Sequence, residues 1–102
     1  MARYNSSERW VSDIEQEVED FQNFTPNAQW REATIKIFDE TNEIGGSAAA
    51  QQLGNAVMEL VENRRHPKTQ RIKSMAKRAL HEQGHDLSEI SPTSYLVKGR
   101  LG

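Results

Sequence analysis

The sequence predicts an all-α protein, a small bundle of four helices with a short fifth C-terminal element. Apolar side chains recur every three to four residues along most of the chain, which is the spacing of one face of an α-helix. The 102 residues include three prolines and six glycines, and most of these fall between the periodic segments. A chain of this length builds one hydrophobic core, so we expect a single helical domain over residues 1–102.

The first two helices are predicted in the acidic half of the chain. Residues 6–24 begin with a serine that can cap a helix and carry an apolar stripe at helical spacing. The second helix is expected to begin at Thr25-Pro26, a capping residue followed by proline in the first turn, and to end before Gly45-Gly46. Residues 33–38 are β-branched and partly alternating, so a short strand is the alternative there. We favour helix because the 3.6-residue period continues on both sides.

The third and fourth helices are predicted over residues 47–65 and 69–83. Gly54, inside the third helix, costs about 1 kcal/mol relative to alanine, so we expect a packing reason for it. His66-Pro67 separates the two helices, and residues 91–98 form the fifth element, a short helix or, over residues 94–98, a strand. The expected core comprises the apolar stripes of all four helices: Val11, Ile14, Val18, Phe21, Trp30, Ile37, Leu53, Val57, Leu60, Ile72 and Leu80.

Composition narrows the functional classes. The sequence has no cysteine, so disulfide bonds, a catalytic thiol nucleophile and zinc sites with cysteine ligands are excluded. The first ten residues lack the apolar run of a signal peptide, and no window approaches the ~18 apolar residues of a membrane span. We therefore expect a cytoplasmic, non-enzymatic protein with no cofactor, no metal, no catalytic residue and no membrane partner.

Charge is distributed unevenly along the chain. Residues 1–62 carry twelve acidic side chains against four basic ones, a net charge of −8, and residues 63–102 carry nine basic against three acidic, a net charge of +6. Residues 63–81 hold seven Lys or Arg and no acid. A solvated helix face usually mixes both signs, so this basic interval is the feature of the sequence that most strongly indicates a binding role.

We therefore expect a small regulatory protein that binds nucleic acid through a basic helix at residues 64–78. Lysine and arginine neutralise phosphates and release counterions, which makes such binding sensitive to salt. The alternative is a helical protein-interaction module or homodimer, in which the same residues dock an acidic protein surface. The predicted nucleic-acid-binding residues are Arg64, Arg65, Lys68, Arg71, Lys73, Lys77 and Arg78.

A third hypothesis comes from the sequence HEQGH, which matches the zinc metalloprotease pattern H-E-x-x-H at His81, Glu82 and His85. In that pattern the two histidines lie on one helical face and bind zinc, and the glutamate polarises the attacking water. The flanking residues do not extend the match, because Ser88 and Ser91 stand where the longer form has glycine and histidine. Gly84 also predicts a helix end inside the motif. Metalloprotease activity is therefore the least favoured of the three hypotheses.

Overall fold

The computed structural model describes residues 7–19 and 24–85, and within them the fold is helical, with no strand. Three helices follow in order: α1 (Ser7–Val18), α2 (Ala28–Glu62) and α3 (Thr69–Glu82). The all-α prediction is confirmed for these residues, including residues 33–38, which are helical. None of the three helices combines the length and apolar character needed to cross a bilayer. Phe21 and the predicted fifth element, residues 91–98, lie outside the described residues.

The predicted number of four helices is wrong for this part of the chain, because the second and third form the single element α2. The division that we expected at Gly45-Gly46 is a sharp bend instead. Gly46 has φ 76° and ψ −173°, a conformation almost restricted to glycine, and the helical backbone resumes directly after it. No linker therefore separates the two parts of α2, which we call the first arm (residues 28–45) and the second arm (residues 47–62).

The bend folds the second arm back towards the start of α2. A straight helix would separate Trp30 from Glu62 by about 48 Å, at 1.5 Å per residue. The five residues after Glu62 can span at most about 18 Å. Yet the indole Nε1 of Trp30 donates a hydrogen bond to the carbonyl oxygen of Pro67 at 2.9 Å. The two arms must therefore lie side by side, with the turn after the second arm beside the beginning of the first.

Helix α1 packs across both arms of α2. The Trp10 ring stacks on Phe38 of the first arm, with centroids 6.2 Å apart and planes 17° apart. The same ring covers Gly54 of the second arm so closely that a Cβ atom there would lie 2.6 Å from Trp10 Cη2. The packing reason expected for Gly54 is thus confirmed, since any side chain at this position would overlap the indole.

Polar contacts also join α1 to the first arm. The Ser7 hydroxyl donates to Asp39 Oδ1 at 2.5 Å. Arg31 forms an ion pair with Glu15, and its second guanidinium nitrogen donates to Ser12 Oγ at 3.2 Å. The side chains in these polar contacts are exposed or half-buried. We therefore expect the contacts to contribute less to stability than the packing of Trp10 does.

The core lies between the three helices. Nine of the eleven predicted core residues are buried, and a tenth, Phe21, lies outside the described residues. The prediction is wrong for Leu60, which is half-buried, and the adjacent Val61 is buried in its place. Near the end of α2, one residue of difference turns a side chain by about 100° around the helix, from the core to its edge. Further buried residues are Phe38, Thr34, Thr41, Ala49, Ala50, Ala76 and Ala79.

The cap of α2 differs from the expected one. The helix begins after Asn27, whose side-chain Oδ1 accepts a hydrogen bond from the backbone N–H of Trp30 at 2.7 Å. This is the bond from the cap residue to the third helical residue that satisfies a free N–H at a helix start. Thr25 and Pro26 therefore precede the helix instead of opening it, because a second capping residue lies two positions nearer to the first helical turn.

We predict that Gly54→Ala destabilises the protein by about 1–2 kcal/mol, although alanine is the better helix former. The overlap with Trp10 outweighs the gain in helix propensity of about 1 kcal/mol. The exposed neighbour Asn55 provides the control, since Asn55→Ala should change the free energy of unfolding by less than about 0.5 kcal/mol. Urea denaturation measures both. If the penalty of Gly54→Ala persists unchanged in a Trp10→Leu background, the contact with the indole is not its cause.

A second prediction concerns two buried threonines of the first arm. The Thr34 Oγ1 atom has no hydrogen-bond partner among the described residues, whereas Thr41 Oγ1 donates to the Ile37 carbonyl at 2.7 Å. Valine has nearly the same shape as threonine, so Thr34→Val should leave stability unchanged or raise it by up to about 1 kcal/mol. Thr41→Val should lower stability by about 0.5–1.5 kcal/mol. Thermal unfolding of the two variants measures both changes in stability. Equal losses of stability in the two variants would contradict the prediction.

Candidate nucleic-acid interface

The orientation of α3 is set by a thin apolar stripe. Ile72, Ala76, Ala79 and Leu80 are buried, and their spacing places them on one face of the helix. Leu80 reaches the bend of α2, where a Cβ atom at Gly45 would lie 2.7 Å from Leu80 Cδ2. Burial of this face fixes which of the basic side chains of α3 point into solvent.

A groove lies along the outer side of α3 and meets the end of α2. Its volume is about 590 Å³. Among the described residues that line it, three side chains are cationic, two are uncharged and polar, two are apolar, and none is acidic. The lining residues are Lys68, Arg71, Arg78, Gln70, Ser74, Leu60 and Met75.

The structure divides the seven predicted binding residues into three groups. Lys68, Arg71 and Arg78 are exposed and line the groove. By helical spacing, Lys73 and Lys77 fall on the opposite flank of the buried stripe, and both are half-buried and engaged in interactions within the protein. The remaining two, Arg64 and Arg65, are exposed in the turn between α2 and α3.

Four of the groove residues were not among the predicted site residues. Leu60 was predicted as core and Met75 belongs to the apolar stripe of α3, but each is half-buried. Gln70 and Ser74 are exposed, and the Ser74 hydroxyl donates to the Gln70 carbonyl at 3.3 Å. Their spacing was the available signal, because Gln70, Ser74 and Arg78 follow one another at intervals of four residues and therefore share a helix face.

Arg64 adopts a left-handed backbone conformation at the end of α2. Its φ is 62°, the one positive value at a non-glycine residue in the described part of the chain. The N–H of Arg65 bonds to the Leu60 carbonyl at 3.0 Å, and the N–H of Arg64 bonds to the Val61 carbonyl at 2.9 Å. These two bonds define a Schellman motif, in which the left-handed position is usually glycine.

The end of α3 shows the same motif with the usual residue. Gly84 has φ 89°, its N–H bonds to the His81 carbonyl at 3.0 Å, and the N–H of His85 bonds to the Leu80 carbonyl at 3.0 Å. An L-residue in the left-handed region costs roughly 1–2 kcal/mol that glycine does not. The chain therefore carries a positive charge at Arg64, beside the basic helix, at the expense of backbone strain.

Aromatic contacts hold this turn in place. His66 stacks on Phe24, with ring centroids 5.6 Å apart and planes 21° apart. Trp30 meets the same Phe24 edge-on at 5.8 Å and bonds to the Pro67 carbonyl. The segment that presents Arg64, Arg65 and Lys68 is thereby fixed to the first arm of α2.

The HEQGH segment lies at the other end of α3. The helix ends at Glu82, so His81 is exposed on its last turn and His85 is half-buried beyond it. Glu82 accepts a hydrogen bond from Gln52 of the second arm, and Gln83 Nε2 donates to Gln52 Oε1 at 2.9 Å. Within residues 7–19 and 24–85, no three histidine, aspartate or glutamate side chains are grouped so that they could hold a metal ion. In this region HEQGH joins α3 to α2.

Comparison of the chain with known protein families, characterised proteins and solved structures found no match. A functional proposal therefore depends on the chemistry of the groove and on its surroundings.

The strain at Arg64 leads to a third prediction. Arg64→Gly should raise the free energy of unfolding by about 1 kcal/mol, because glycine adopts the left-handed conformation without steric cost. Arg65→Gly removes the same charge at a position without positive φ and should be neutral or destabilising by up to about 1 kcal/mol. Chemical denaturation of the two variants tests this. A loss of stability in Arg64→Gly comparable to that in Arg65→Gly would show that Arg64 is not strained.

Proposed function

We propose that the protein is a small regulatory protein that binds nucleic acid through the groove of α3. The observation that carries this proposal is the convergence of Lys68, Arg71 and Arg78 on one exposed groove, whose lining among residues 7–19 and 24–85 contains no acidic side chain. Positive groups arranged in this way neutralise successive phosphates and release their counterions. Contacts of this kind position a nucleic acid without reading its sequence.

The placement of the acidic half is compatible with this role. Helix α1, which carries four of the acids, packs against α2. Its polar contacts described above reach the first arm, and Glu15 is paired with Arg31 there. The groove lies on α3 and at the end of the second arm, and none of the four acids of α1 is among its lining residues. The net charge of −2 therefore does not describe the surface that a nucleic acid would meet.

The turn between α2 and α3 gives further support. Arg64 holds a conformation that favours glycine, and strained positions of this kind cluster at functional sites. With Arg65 it adds two exposed cations next to Lys68, which extends the positive surface beyond the groove.

We predict that Arg71→Ala and Arg78→Ala each weaken nucleic-acid binding about fivefold and lower the slope of log affinity against log salt by about 1. Lys36, an exposed lysine of the first arm, serves as the control of equal charge change, and Lys36→Ala should leave the affinity nearly unchanged. Fluorescence anisotropy with labelled oligonucleotides, between about 50 and 200 mM salt, measures these effects. If the folded wild-type protein does not bind at the lower salt, or if all three variants behave alike, the proposal is wrong.

A further inference from the structure

The groove contains more than positive charge, since its lining includes the apolar side chains of Leu60 and Met75. Both are half-buried, so their remaining surface is open to the groove. We infer that the groove accepts an unpaired base of a single-stranded nucleic acid in preference to a duplex. This inference rests on the proposed function and specifies its substrate class.

The lining matches the three chemical parts of an unpaired nucleotide. The face of a base is largely apolar and can cover Leu60 and Met75, and the flexible thioether of methionine adapts to flat or irregular partners. The edge of a base presents hydrogen-bond donors and acceptors, for which Gln70 and Ser74 are suitable partners. The phosphate is anionic and complements the cationic groups already described.

A duplex makes poorer use of the same groove. Its base faces are stacked on one another, and it offers a protein its phosphates and the edges of its bases. If a duplex made contact through its phosphates alone, no base would fill the concave space of about 590 Å³. The apolar surfaces of Leu60 and Met75 would then face water or charged groups. An unpaired base fills that space and removes apolar surface from water.

The length of the groove agrees with a short single strand. Lys68 and Arg78 are ten residues apart, which is about 15 Å along the axis of α3. At about 3.4 Å per stacked nucleotide, this distance covers up to roughly four nucleotides, and fewer if the strand is extended. A 12-nucleotide probe is therefore long enough to occupy the groove fully.

The decisive comparison uses the wild-type protein with a labelled 12-nucleotide single strand of mixed sequence and with the duplex of that sequence. We expect the single strand to bind about tenfold more tightly at about 50 mM salt, because base contacts add to the phosphate contacts. Fluorescence anisotropy measures both affinities. Equal affinities, or tighter binding of the duplex, would overturn the inference.

A pair of methionine variants tests the role of the apolar lining. Met75→Gln keeps the size of the side chain but makes the groove more polar, so we expect it to remove most of the preference for the single strand and to leave duplex binding unchanged. Met58 is also half-buried against the core but does not line the groove, and Met58→Gln should retain the preference. If the preference survives in Met75→Gln, or is lost equally in both variants, the groove does not hold a base.

The outcomes separate this inference from the proposed function. If both probes bind equally and Arg71→Ala weakens both, the proposed function holds and the inference fails. If neither probe binds, both fail. The third probe is an acidic amphipathic helical peptide that has leucines along one face and glutamates along the other. If it binds in a manner sensitive to Met75→Gln while neither nucleic acid binds, the groove serves a protein partner and both proposals are overturned.

Discussion

The burial of one narrow face of α3 is the constraint that determines which cationic side chains of this helix are exposed. Two of its four buried residues are alanines, so the helix lies close to α2 and its rotation about its own axis is restricted. That rotation separates Lys73 and Lys77 from Arg71 and Arg78, although all four belong to one run of positive charge in the sequence. The exposed cations on one flank, with the end of α2, then form the groove.

The bend of α2 makes this arrangement possible. Gly46 allows the second arm to lie beside the first, which gives α3 a surface to pack on and brings Pro67 within hydrogen-bonding distance of Trp30. The turn that follows α2 is consequently held at both of its ends, by the Schellman motif and by the aromatic cluster. The strain at Arg64 is sustained by this framework, as strain usually is when the surrounding structure determines a backbone conformation.

Sequence periodicity was sufficient for the helical class, for most of the core and for the close contact at Gly54, because all three depend on local spacing and side-chain size. It was insufficient where two neighbouring residues competed for one role. Asn27 rather than Thr25 caps α2, and Val61 rather than Leu60 enters the core, since tertiary packing decides such choices. We predicted one helix too many in this region because Gly45-Gly46 indicated a break between two helices. In the structure only Gly46 is non-helical there, and α2 continues after it. The charge pattern singled out a basic stretch of sequence, of which Lys68, Arg71 and Arg78 line the groove, and their role in binding stays a prediction. The apolar part of the lining depends on how α2 ends against α3, which charge does not indicate.

If nucleic acid occupies the groove, as we propose, a residue-resolved titration should locate it there. In ¹H–¹⁵N NMR spectra, a short oligonucleotide should shift the backbone amide signals of residues 68–78 and of Leu60. Signals from the acidic face of α1, such as those of Asp13 and Glu17, should remain unchanged. Shifts confined to α1, or spread evenly over all three helices, would show that nucleic acid does not bind in the groove.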